Sequence, residues 1–476
     1  MRILKVTQTY FPYLNLGGPP AKVRAIARAL VERGHEVTVL TADRGGELGI
    51  SDFGLRNANL GTEGINQRSE VGGRRSKSEE EKAEGSRQKV ESNDQNAGVR
   101  IQKSEEGTDR GSGSQDANDS WNRKATRWGW EANDHGVETV YLRTLQNYRA
   151  TTINPNILRF CAKRLGDYDV VHIYGLYDLL GTVAGWFCRR RGIPYVLEPL
   201  GMFGPKVRSG RKKNLYRKLT GNALFNGAQV VVATSETERA ELIGGGMDES
   251  KILMRRNGIN LDDFRALPPR GAVRSKYSVN ATRPLVVFVG RLSFIKGLDL
   301  LVQAFAQLEA DAQLIISGPD DNDGCAREVK QLIDELKLHN RVTLAGPLYA
   351  QEKLQAFVDA DLVVLPSRYE SFGNVAAEAV ACGTPVLVTD QCGIATLVQD
   401  RAGLVVPCAV EGLRDGLREL IEDKDLLGKL RDGCAKVARS LSWEEPVATM
   451  ERVYESLLEP KVIAGGLGLP VGSVRL

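Results

Sequence analysis

The sequence predicts an α/β protein of two Rossmann-like, doubly wound domains that face each other across a cleft. Three observations predict it. The chain opens with an apolar strand, a helical segment and a second apolar strand within about forty residues, which is the pattern of a βαβ unit and a parallel sheet. The same rhythm resumes after a long polar interruption, and a second series of alternating strands and helices begins at Arg283. With 476 residues, 42% hydrophobic and 26% charged, the chain can fill two large cores and is neither fibrous nor wholly disordered.

The elements follow in order. Residues 3–9 are rich in β-formers, residues 11–20 form a Pro/Gly loop, residues 21–31 carry apolar side chains at helical spacing, and residues 36–41 form the next strand. Between residues 67 and 120 only Val71, Val90, Val99 and Ile101 are aliphatic, against 22 charged residues. Such a stretch cannot bury enough surface to offset its conformational entropy. A disordered insertion over about residues 45–133 is expected, after which the domain resumes with a strand at 137–142. Strands at 170–173, 194–198 and 229–234 and a helix at 176–190 continue the first series. The second series has strands at 283–290, 313–317, 341–345, 362–366 and 385–389, with helices at 298–308 and 375–382. Residues 262–281, with Pro268-Pro269, read as a linker. The expected organisation is an N-terminal domain over 1–265 and a C-terminal domain over 266–442. A last helix at 443–459 packs back on the N-terminal domain, followed by a loose tail at 460–476. In open α/β sheets, ligands bind beyond the carboxyl ends of the strands.

Composition excludes several classes. The net charge is +4, from 64 basic and 60 acidic residues, too balanced for a general nucleic-acid binder. Seven cysteines form no Cys-x-x-Cys pair and no zinc spacing, and only four histidines occur, so neither a disulfide framework nor a His-rich metal site is expected. The opening Met1-Arg2-Ile3-Leu4-Lys5-Val6 enters a strand directly, without the charged and apolar regions of a signal peptide. The most apolar stretch, residues 170–188, carries His172 and Asp178 and reads as a buried strand and helix rather than a membrane span. A cytoplasmic protein is the expectation. No Gly-x-Gly-x-x-Gly lies at a strand–helix turn, and no Walker A, His-Glu-x-x-His or Gly-x-Ser-x-Gly occurs, which disfavours dehydrogenases, P-loop enzymes, zinc proteases and α/β hydrolases.

Two segments carry chemistry. Gly290-Arg291-Leu292 follows an apolar strand, and Lys296-Gly297 precedes a helix; two cations at a strand end beside a helix N-terminus suit a diphosphate. Farther on, Ser367-Arg368-Tyr369-Glu370-Ser371-Phe372-Gly373-Asn374-Val375-Ala376-Ala377-Glu378 places Glu370 in the loop after a strand. Gly373 permits close backbone approach, the amides from Asn374 can bind phosphate oxygens, and Glu378 stands one turn inside the helix.

Together with Gly17-Gly18, Gly34-His35-Glu36-Val37-Thr38-Val39, Asn257-Gly258-Ile259-Asn260 and Gly383-Thr384-Pro385-Val386, these motifs resemble glycosyltransferase family 4, enzymes of the GT-B fold. The resemblance covers about residues 1–44 and 137–458. It implies a retaining, metal-independent transferase that needs no cofactor and moves a hexose from a UDP- or GDP-linked sugar to a glycan or lipid-linked acceptor, in surface-polysaccharide assembly. In this reading Arg291 and Lys296 neutralise the departing diphosphate, Glu370 binds hydroxyls of the transferred sugar and acts catalytically, and Glu378 grips the ribose. The substrate-binding positions implied alongside are Gly17, Gly18, Asn257, Gly290, Phe372, Gly373, Asn374 and Val375. The chain departs from the family where a His-x-His is common. It has His172-Ile173-Tyr174, so His172 as a catalytic residue, Tyr174 as a sugar contact, and a hydrogen-bonded core histidine all stay open. Pro199-Leu200-Gly201-Met202 likewise lacks a histidine frequent in relatives. Alternatives are a sugar synthase or epimerase on the same fold, or a nucleotide-sugar-binding protein that has lost turnover, against which the intact Glu370, Glu378, Arg291 and Lys296 argue.

One feature stands apart. Lys206, Arg208, Arg211, Lys212, Lys213, Arg217 and Lys218 fall within thirteen residues that contain no acid, with Leu215, Tyr216 and Leu219 interleaved. They form either a solvated basic helix or a contact with anionic lipid, which would make the protein peripheral on a membrane face.

Overall fold

A computed structural model describes residues 1–13, 18–44, 124–148, 151–203 and 222–459. The chain divides into one compact unit of Met1–Glu47 with Trp121–Leu476 and another of Leu48–Ser120. The second unit lies outside the described residues, as do Gly17, the cations from Lys206 to Lys218 and the tail at 460–476.

The first sheet is built from β1 (Arg2–Val6), β2 (Glu36–Ala42), β3 (Lys124–Ala125), β4 (Gly129–Asp134), β5 (Val137–Leu142), β8 (Val170–Tyr174), β9 (Tyr195–Glu198), β10 (Val230–Ala233) and β11 (Ile252–Met254), with β6 (Gln146–Tyr148) and β7 (Thr151–Ile153) forming a separate hairpin. Its order is β11-β10-β9-β8-β1-β2-β5-β4-β3. The strands from β11 to β5 are parallel, and β4 and β3 add antiparallel at the edge. The second sheet contains β12 (Leu285–Val289), β13 (Gln313–Ser317), β14 (Val342–Gly346), β15 (Leu362–Leu365), β16 (Val386–Thr389) and β17 (Gly403–Val406), in the order β14-β13-β12-β15-β16-β17 and parallel throughout. Central strands such as β12 and β15 are buried along their whole length, which is why they read as unbroken apolar runs. Strand order reverses beside β1 in the first sheet and beside β12 in the second. The loops after β12 and β15 therefore leave the second sheet at a switch point, where such sheets open a crevice for ligands.

Five helices position the site: α1 (Gly18–Glu32), α2 (Leu298–Ala306), α3 (Ala350–Asp359), α4 (Asn374–Ala381) and α5 (Glu444–Leu458). The expected loop at 11–20 is shortened, because α1 starts at Gly18 and takes Pro19 and Pro20 into its first turn, where missing amides cost nothing. The expected insertion is shortened as well. Residues 124–134 form β3 and β4, held because Trp128 and Ala132 are buried under the sheet edge. The expected linker at 262–281 is also corrected. It contains a helix, Ala272–Lys276, whose Val273 joins the second core, and the Asp359 carboxylate accepts bonds from Val273 N (2.6 Å) and Arg274 N (3.1 Å). The chain crosses between sheets closer to residue 258, where Ile259 N donates to Leu441 O at 2.7 Å, so outgoing and returning strands run side by side. The returning helix α5 packs Val447, Met450 and Tyr454 into the core of the first sheet.

Candidate functional site

Packing inside the second half brings the two predicted loops together. Gly297 adopts φ +66°, and a Cβ there would stand 2.0 Å from Pro366 O, so only glycine lets the loop after β12 press against the end of β15. Arg368 N donates to Ile295 O (2.9 Å), while the Arg368 guanidinium forms a two-pronged ion pair with Asp299 on α2, both contacts 2.6 Å. This brace fixes Lys296 opposite Glu370, and the two half-buried side chains form a direct ion pair. Glu370 is held from behind as well: its amide donates to Gln391 O (3.1 Å) and its carbonyl accepts from Gly393 N (2.9 Å). Gly290 packs against Gly318, and Arg291 beyond it extends to Asp321 at 2.6 Å.

Gly373, at φ +110°, turns the chain into α4. Asn374 and Glu378 are four residues apart and share one face of that helix. Asn374 Oδ1 and Glu378 Oε2 are both buried without a hydrogen-bond donor. Lys353, from α3, places its Nζ 2.8 Å from Glu378 Oε2, off hydrogen-bond geometry. On the opposite side stands the start of α1: a Cβ on Gly18 would lie 2.7 Å from Asn374 Nδ2. The N-termini of α1 and α4 thus meet on the loop that carries the Lys296–Glu370 pair, a concentration of positive potential. The loop also touches the first half through Tyr369 against Gly201 and through Thr234 Oγ1, which donates to Ser371 O at 3.4 Å. The arrangement offers cations and free amides to an anion and unsatisfied oxygens to hydroxyl groups.

The structure brings together Gly18, Lys296, Glu370, Gly373, Asn374 and Glu378, with Gly290 and Arg291 on the adjoining loop. Phe372 is a correction: it is almost fully buried in the second core, and Val375 packs partly buried against the same cluster. Asn257 is buried at the crossover, outside this group. His172 and Tyr174 are corrections too. Both are fully buried and stacked at 4.1 Å, in a polar network under the first sheet. His172 Nδ1 meets Tyr454 Oη at 2.6 Å, and Lys5 Nζ donates to Tyr174 Oη at 2.9 Å. Lys22 (2.5 Å) and Arg255 (2.7 Å) share the two oxygens of Glu198 beside them. Burial and the cations of Lys5, Arg255 and Lys22 hold His172 well below the usual histidine range, so it stays neutral. Of the readings open for it, the structure matches the hydrogen-bonded core histidine, with no surface exposed to a ligand. The sequence reading missed Lys353 and the Arg368–Asp299 brace, because pairs separated by tens of residues leave no local pattern.

Among the described residues, no group of three His, Cys, Asp or Glu side chains is arranged to hold a metal ion, and no helix is long and apolar enough to cross a membrane. All seven cysteines are free.

Residues 270–440 match the family model described as glycosyl transferases group 1, and residues 113–258 match a glycosyl transferase 4-like domain. Among curated relatives, D-inositol 3-phosphate glycosyltransferase 1 of Catenulispora acidiphila is 32% identical over 324 residues, covering 64% of this chain and 75% of that protein. The D-inositol 3-phosphate glycosyltransferase of Xylanimonas cellulosilytica is 29% identical over 309 residues, covering 61% and 72%. Among solved structures, Anabaena HepE in complex with UDP and glucose superposes with a TM-score of 0.66 at 18% identity, covering 96% of this chain and 100% of that one. Sucrose-phosphate synthase from Thermosynechococcus elongatus gives 0.63 at 21%, covering 96% and 98%. At these identities the two solved structures show a shared fold.

Proposed function

The chain belongs to the group 1 glycosyltransferases and has the GT-B fold, and from that premise we propose that it moves a hexose, with retention and without a metal ion, from a UDP- or GDP-linked sugar to a glycan or lipid-linked acceptor in surface-polysaccharide assembly. The observation that carries this reading is the Lys296–Glu370 pair, set at a strand-order switch point where two helix N-termini meet. Lys296, Arg291 and the free amides of α4 take the diphosphate and stabilise the charge that grows on it as the glycosidic bond breaks. Preorganised charge of this kind is commonly the largest catalytic contribution. Glu370 exchanges its lysine for the hydroxyls of the transferred sugar, and Glu378 and Asn374 accept from the ribose side. Residues 1–265 supply the acceptor side and residues 266–442 the donor side.

The names of the relatives favour a second acceptor, a phosphorylated cyclitol. The test is release of nucleoside diphosphate from UDP- and GDP-sugars, with and without each acceptor class, before and after EDTA. Turnover that survives EDTA and rises with an acceptor supports the reading; strict dependence on added magnesium or manganese contradicts its metal-free part. From the cations between Lys206 and Lys218 we also propose work at an anionic membrane face. Failure to bind anionic vesicles at low salt would remove that part alone.

A further inference from the structure

We propose that Lys353 is a positioning residue for nucleotide recognition: it holds the Glu378 carboxylate where its free lone pairs can accept the two ribose hydroxyls of a nucleoside diphosphate. The inference rests on the reading of Glu378 as the ribose acceptor.

The geometry has three parts. First, Glu378 Oε2 is buried with no hydrogen-bond donor, and so is Asn374 Oδ1 one turn earlier on the same face of α4. An unsatisfied buried acceptor is costly, and two such acceptors side by side call for a ligand that brings donors. A vicinal diol brings two, whereas a diphosphate near neutral pH brings none and would be repelled by the carboxylate. Second, the Lys353 ammonium is 2.8 Å from Glu378 Oε2 without meeting hydrogen-bond geometry. It therefore attracts the carboxylate while leaving acceptor capacity unused. Third, the backbone beneath Lys353 is fixed. Ala356 and Phe357 of α3 are fully buried, and Asp359 at its end is tied to the backbone of residues 271–274. Glu352, next to Lys353, is occupied by Lys276 at 3.0 Å. The neighbouring carboxyl of Asp263 already accepts from Asn260 Nδ2 at 2.8 Å. A partly exposed ion pair contributes little to stability, so fold maintenance is a poor account of this lysine. Restraining a carboxylate that must meet a diol in one orientation is a better one.

The test is calorimetric titration of the full chain with UDP and 2′,3′-dideoxy-UDP, and with the GDP pair in parallel, using wild type, Lys353→Met, Lys353→Arg, Glu378→Ala and the Lys353→Met/Glu378→Ala double variant. Lys353→Met should weaken the ribonucleotide by roughly 3–10-fold, the size of a partly buried ion-pair effect, and Lys353→Arg should restore most of it. The dideoxy analogue should be indifferent to Lys353, and the double variant should bind no worse than Glu378→Ala. An equal loss for the dideoxy analogue, or a loss that adds in the double variant, overturns the proposal, because Lys353 would then act on the phosphates or on the fold. If Glu378→Ala selects for ribose hydroxyls as wild type does, the ribose reading falls and the proposal with it. If Glu378→Ala loses that selectivity while Lys353→Met keeps wild-type affinity, only the proposal falls.

Discussion

Lys5 lies in the middle of β1 with no exposed surface, and the parallel register sets it beside His172 of β8. Its neighbours are two phenol hydroxyls, Tyr174 at 2.9 Å and Tyr454 at 3.4 Å. Burial first, then the Arg255 cation, push its ammonium down to about 7, with Glu198 opposing. An unfolded lysine titrates near 10.5, so between about 7 and 10.5 the unfolded chain binds more protons than the folded one. The burial penalty is complete below about pH 7 and is released as pH rises through that window. Relative to Lys5→Met, the wild type should therefore gain stability with rising pH, by at most ~1.4 kcal/mol per unit. Urea denaturation of both proteins at several pH values measures this, and parallel curves would refute it. The two site glutamates separate differently. Glu370→Gln should chiefly lower sugar transfer, and Glu378→Ala should chiefly weaken binding of the free nucleoside diphosphate. Equal loss of diphosphate affinity in both variants would contradict those roles.

At the scale of elements, α5 returns to complete the first core. Its Tyr454 hydroxyl reaches His172 and Lys5, Val447 and Met450 are fully buried, and Glu451 pairs with Arg33 (2.8 Å) and His35 (2.7 Å). Ending the chain before Glu444 should expose this apolar face and take a partner from four polar side chains, giving insoluble or molten protein. A soluble truncated chain with a cooperative melt would show that the helix is dispensable. Strands of this fold were legible because parallel strands buried on both faces are plain apolar runs, as at Leu285–Val289 and Leu362–Leu365. The loops around Arg291, Lys296, Glu370 and Glu378 were legible through glycines at strand–helix turns. β4 was not, because its outward residues Trp130 and Asn133 are exposed and within the strand only Ala132 and the polar Asp134 are buried, which leaves no apolar run. The core role of His172 was not legible either, since its partners Tyr454 and Lys5 come from opposite ends of the chain. Lys353 was hidden for the same reason, 25 residues from the glutamate it holds.

At the scale of the molecule, two large parallel-rich sheets are joined by paired crossovers, and the site draws on loops from both. The polar segment between the ends of β2 and β3 interrupts the sequence but not the sheet, because β2 pairs directly with β5 in continuous register from Thr38 to Ala42. Replacing residues 60–120 by a short Gly/Ser bridge should leave the melting transition and donor binding unchanged. Loss of soluble protein would show that the segment contributes to folding. The central claim is that Arg291 and Lys296 hold the diphosphate of a nucleotide sugar at the meeting of two helix N-termini. It is tested most directly by titrating UDP and GDP into wild type and into the Arg291→Ala/Lys296→Ala double variant. The account predicts saturable binding of one of the two nucleotides to wild type and a loss of roughly 10–100-fold in the variant, the scale of losing hydrogen bonds to a charged group. Binding that is unchanged in the double variant, or absent from the wild type for both nucleotides, would contradict it.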